Sequence, residues 1–74
     1  MYDSIIEIIA NQLQIDVDTV DGGMKIMEDL GADSLDVVEM LMAMEENFGI
    51  AVPDEDIEDL ITVNDVVAYV ESNM

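Results

Sequence analysis

Asp29-Leu30-Gly31-Ala32-Asp33-Ser34-Leu35-Asp36 joins a polar segment to an apolar helix, and the fold turns on this junction. Downstream of it, apolar residues recur at three- and four-residue spacing as far as Phe48, and Gly49 follows as a left-handed C-cap. A helix is therefore predicted from about Ser34 to Phe48. The Gly31 turn leads into it, and Asp33-Ser34 supplies residues of the type that cap helix starts.

Outward from the junction, the other elements follow from the same rules. Ile5, Ile6, Ile9 and Leu13 recur at helical spacing and predict a first helix over 2–13. Gln14 to Glu28 is long for a loop in so small a chain. Its apolar residues Ile15, Val17, Val20, Met24, Ile26 and Met27 predict an ordered segment packed onto the helices. Val52-Pro53 marks an extended break, and Pro53 or Asp54 opens a short third helix through about Asp59. Thr62 reads as the N-cap of a last helix, with Asp65 three residues on as its capping-box partner. Val63, Val66, Val67 and Val70 form one stripe of that helix, and no strand-like alternation persists anywhere. The expected fold is all-α: a small bundle of three longer helices and one short one, spanning residues 1–74 as a single domain.

On a helical wheel of about 100° per residue, Val37, Met40, Leu41, Met44 and Phe48 form one stripe of the second helix. Leu35, Val38 and Met42 fall on the opposite side, among Asp36, Glu39, Glu45 and Glu46. A chain of this size cannot bury both sides. An apolar seam flanked by acids suits transient docking, with charge supplying steering; three apolar residues in water are also compatible with ordinary surface.

Composition limits the chemistry. The 74 residues include 19 acidic side chains against one basic residue, Lys25, for a net charge of −18, with no His and no Cys. Such a surface repels phosphate backbones and anionic lipid, so nucleic-acid and membrane partners are not expected and basic protein partners are. Without Cys, neither disulfides nor thiolate metal sites form. No signal segment or membrane-spanning run is recognised, and a cytoplasmic, monomeric protein is expected. Half the chain is apolar and periodic, so it is no disordered acidic tail.

Ser34 has three candidate roles: nucleophile, helix cap or attachment point. A hydroxyl needs a base to become a nucleophile, and the chain offers no His and a single Lys. Gly-x-Ser-x-Gly is absent, and the surrounding acids oppose an oxyanion. Capping and attachment stay open. The helix N-terminus favours an anion such as a phosphodiester, and a tethered group would bring chemistry to a chain that lacks reactive groups. A calcium-binding module is the main alternative of another class, since seven Met and many acids also describe EF-hand pairs. Its loop pattern fails: counted from Asp16, Asp21 stands at the glycine position and Met27 at the glutamate position; counted from Asp54, Asp59 and Asp65 stand there. The cluster Asp54, Glu55, Asp56, Glu58 and Asp59 reads as a solvated face, and no metal site is expected.

The run Glu28 to Asp36 resembles the attachment motif of acyl carrier proteins. The resemblance extends through Val38-Glu39, Met42-Ala43-Met44-Glu45-Glu46, Phe48, Val52-Pro53-Asp54-Glu55 and Thr62-Val63. It implies a four-helix bundle with 4′-phosphopantetheine esterified to Ser34. It also implies a non-catalytic carrier that shuttles growing acyl chains as thioesters between fatty-acid synthesis enzymes. Polyketide and specialised-lipid carriers share this layout. The implied partners are a phosphopantetheinyl transferase, synthesis enzymes with basic docking patches, and the acyl chains. By position, docking falls to Asp33, Leu35, Asp36, Val38, Glu39, Met42, Glu45, Glu46 and Glu58. Ile26, Met27, Met44, Val52, Ile57 and Leu60 match positions that line the acyl cavity. Ile26-Met27 replaces a frequent Phe and β-branched pair, Ile57 a frequent Ala, and Asn47 a frequent acid; helix one lacks the family's basic residues.

Overall fold

Periodic apolar residues can leave water only if their helices face one another, and four helices do so here. The computed structural model describes residues 2–74. It places α1 at Tyr2–Leu13, a 3-10 turn at Val17–Thr19, α2 at Ser34–Phe48, α3 at Asp54–Ile57 and α4 at Val63–Ser72. Among the described residues there is no strand, only an isolated bridge between Lys25 and Thr62. No described helix is long and apolar enough to cross a membrane. The third helix ends at Ile57, two residues short of the expected boundary, and carries no side-chain cap. One turn of helix has too few internal hydrogen bonds to stand alone, so tertiary contacts decide where it stops.

α1 packs against α2, α4 and the 3-10 turn. Ile5 and Ile9 of α1, Ile26 of the long loop, Met40 and Met44 of α2, and Val63, Val66 and Val70 of α4 are almost completely buried. Each such side chain contributes about 1.5–3 kcal/mol on leaving water. The valines of α4 are poor helix formers in isolation, and burial of their stripe outweighs that preference.

The helix ends explain why the chain breaks where it does. α2 closes on Gly49, whose φ of 68° is left-handed and whose N–H donates to Glu45 O at 2.9 Å. α1 closes in the same hand without a glycine. Gln14 sits at φ 57°, the Ile15 N–H reaches Ala10 O at 3.0 Å, and the Gln14 N–H reaches Asn11 O at 3.4 Å. This pairing is the Schellman arrangement, with glutamine where glycine is usual.

The long loop is ordered by pairing with the start of α4. Asn64 N–H donates to Gly22 O at 2.9 Å, Val63 N–H to Met24 O at 3.0 Å, and Ile26 N–H to Ile61 O at 2.9 Å. The first two bonds satisfy donors that a helix start always leaves free. Gly22 lets the loop come this close without displacing anything, since a Cβ there would force the exposed Asn64 side chain to shift. Buried Ile26 pins the loop to the core, and its carbonyl accepts from Ala32 N–H at 3.3 Å, so the chain is turned back toward α2.

Candidate functional site

Gly31, at φ 75°, turns the chain out of the loop, and Ala32 is buried directly after it. Asp33 is the N-cap of α2. Its Oδ1 accepts from Asp36 N–H at 3.0 Å, and Asp36 Oδ2 accepts from Asp33 N–H at 3.3 Å, a reciprocal capping box. Ser34 is therefore the first helical residue and takes no part in the cap. Capping, which the sequence left open to Ser34, belongs to the Asp33–Asp36 pair. The physical reason is geometric: only the residue in extended conformation before the helix can fold its side chain back onto the N–H three residues on. The Ser34 side chain lies exposed, on a helix start whose leading N–H groups have no carbonyl partner within the helix.

Beside Ser34 runs a groove of about 420 Å³. Val37 and Val38 of α2 form one part of it, Lys25, Met27 and Glu28 of the loop another, and Ile57, Glu58, Leu60 and Ile61 the far wall. Six of these ten lining residues, counting Ser34, are apolar, so the groove offers shelter to an apolar chain. Lys25, the chain's one basic residue, is on the same groove, paired with Glu28 at 3.4 Å; both side chains are exposed, so the pair is weak. Among the described residues, no cluster of three or more acids is gathered closely enough to hold a metal ion.

These features fit a phosphodiester-linked arm. The hydroxyl is free of internal structural work, the helix start offers unpaired N–H groups, and an apolar groove begins at the same residue. Asp33 and Asp36 oppose an anion there, and Lys25 offsets them only in part.

The residues expected to dock partners do not share one environment. Leu35 and Met42 are 65% and 54% exposed, and Asp33, Glu39, Glu46 and Glu58 are also exposed. Val38 and Glu58 line the groove, and half-buried Asp36 completes the capping box. Glu45 is half-buried, with its Oε2 accepting from Val52 N–H at 2.8 Å, so it anchors the connection to α3. Of the six residues expected to line an acyl cavity, Met27, Ile57 and Leu60 border the groove. Ile26 and Met44 are fully buried in the core, and Val52 packs against it. Met27 is 53% exposed and forms rim, not interior.

Lys25, Glu28, Val37 and Ile61 also line the groove, beyond the residues the sequence assigns to docking or to an acyl cavity. Lys25 was conspicuous as the single cation. The helical spacing assigns Val37 to the core, and it packs there as well. Ile61 occupies the place before the Thr62 cap where an apolar residue usually packs onto its own helix, and here it is 54% exposed.

Residues 3–70 match the family model described as "Phosphopantetheine attachment site". The chain is 51% identical over 73 residues to the acyl carrier protein of Wolinella succinogenes, covering 99% of this chain and 96% of that one. It is 52% identical over 71 residues to the acyl carrier protein of Campylobacter jejuni subsp. doylei, covering 96% and 92%. A solved structure of an acyl carrier protein from Enterococcus faecalis superimposes with a TM-score of 0.81 at 37% identity, covering 99% of this chain and 92% of that one.

Proposed function

The chain belongs to the acyl carrier protein family, whose members bear phosphopantetheine, and on that premise we propose that Ser34 carries the arm for the fatty-acid synthesis enzymes. The observation that supports this most is the division of labour at the start of α2, where Asp33 caps and Ser34 is left exposed. The Ser34 oxygen would form the new phosphate ester, displacing the adenosine bisphosphate half of coenzyme A, while its proton passes to a base of the transferase. The attached group supplies a thiol that holds acyl chains as thioesters, which a cysteine-free chain cannot do itself.

The protein's own residues bind and orient. Leu35 and Met42, with Glu39 and Glu46 beside them, present an exposed acidic and apolar face of α2 to enzymes with basic patches. Met27, Val38, Ile57 and Ile61 give the carried chain an apolar surface near its point of attachment. The chain acts as one carrier domain and contributes no catalytic residue.

The deciding experiment is intact mass after incubation with a phosphopantetheinyl transferase and coenzyme A. Addition of one arm to the wild type, and none to Ser34→Ala, is expected. An unchanged wild-type mass with a broadly active transferase, or full modification of Ser34→Ala, overturns the assignment.

A further inference from the structure

α3 is a single turn of four residues, yet the far wall of the groove is built from it and the turn after it, through Ile57, Glu58, Leu60 and Ile61. It has no side-chain N-cap and is not part of the principal helix interfaces, which α1 forms with α2, α4 and the 3-10 turn. Two side-chain tethers hold it. One is upstream, where Glu45 of α2 takes the Val52 N–H. The other is on the helix itself: the Tyr69 hydroxyl of α4 donates to Asp56 Oδ2 at 2.8 Å, in a partly buried position.

From this arrangement we infer that Tyr69 is a positioning residue for the groove, acting through Asp56 to fix the rotation of α3. Asp56 and Ile57 are successive residues, so they project about 100° apart on the helix. Holding Asp56 against α4 directs the neighbouring Ile57 to the groove and the core. A bond to an ionised carboxylate is among the stronger hydrogen bonds, and it joins elements thirteen residues apart in the chain. The same bond, with partial burial and the negative charge of Asp56, pushes the Tyr69 phenol above its ordinary value. In the carrier reading, on which this role rests, the latch sets how far the groove opens to the carried chain.

Amide exchange on Tyr69→Phe and Asp56→Ala tests the latch. The amides of Asp56, Asp59 and Leu60, bonded to Pro53, Asp56 and Ile57 carbonyls, are expected to exchange about tenfold faster in either variant. Those of Ile26 and Asn64, in the loop–α4 pairing, should be unchanged. The double variant should add nothing to either single one. In a Tyr2→Phe background, which leaves one tyrosine, absorbance titration should show the phenol of Tyr69 returning toward its ordinary value when Asp56 is Ala. An octanoyl thioester on the attached arm should hydrolyse about tenfold faster in Tyr69→Phe, because the same opening exposes it. Exchange unchanged around α3, exchange raised evenly through the molecule, or an unmoved phenol titration overturns the latch. Hydrolysis unchanged despite faster exchange overturns its role at the groove. A wild-type chain that accepts no arm overturns the carrier reading and that groove role, while exchange and titration still decide the latch.

Discussion

Asp33 and Ser34 are neighbours with similar capping chemistry, yet they do different work because one peptide unit separates extended from helical backbone. Gln14 shows the opposite case, a side chain kept where its backbone is disfavoured. Its φ of 57° crowds the Cβ, which costs a non-glycine residue about 1–2 kcal/mol. Glycine relieves that crowding but loses more freedom on folding, by about 0.5–1 kcal/mol. Gln14→Gly is therefore expected to stabilise the fold by about 0.5–1 kcal/mol and raise the melting temperature by a few degrees. Thermal unfolding followed by circular dichroism checks this; a lowered melting temperature would show that the Gln14 side chain contributes more than its strain removes.

At the scale of elements, α4 is the anchor of the site although none of its residues lines the groove. Its first donors are satisfied by the long loop, and its cap is reciprocal: Asp65 N–H donates to Thr62 Oγ1 at 3.1 Å, and Thr62 N–H donates to Asp65 Oδ2 at 3.0 Å. The Thr62 N–H, helped by that of Ile61 and opposed by partial burial, holds the Asp65 carboxyl below the usual carboxylate value. A depressed acid stabilises the fold above its unfolded pKa, about 3.9, and that contribution fades as pH falls through the lower folded value. As pH falls through that lower folded value, the Thr62 and Ile61 amides are expected to lose exchange protection in the wild type. Carboxyl chemical shifts should place the Asp65 midpoint below that of an unstructured aspartate. A midpoint at or above it would mean that burial outweighs the amide bonds.

Across the whole molecule, charge opposes compaction. A net charge of −18 is held within dimensions of 26 × 23 × 18 Å. The screening length is about 10 Å at 0.1 M salt and about 3 Å at 1 M, so raising salt removes most of this repulsion. The melting temperature is expected to climb with ionic strength over that range; a flat response would show that repulsion is not limiting. Much of the molecule was legible along the chain because its signals are local. Ile5, Ile9, Val66 and Val70 announce their helices by spacing alone, Gly49 and the Thr62–Asp65 box mark boundaries, and the motif around Ser34 points to the attachment residue. Three features were not legible, because each depends on residues distant in sequence. The Ile26 N–H pairs with Ile61 O, which ties the long loop to the segment before α4. Glu45, expected on the docking face, also takes the Val52 N–H. Tyr69 gave no hint that it holds Asp56. Periodicity, capping chemistry and composition were thus enough to determine the helices, the exposed seam of α2 and the absence of intrinsic reactive groups, since spacing of a few residues encodes them. Only tertiary structure decided which apolar side chains became core and which became groove, because that depends on where the loop and α3 are pinned against α2 and α4.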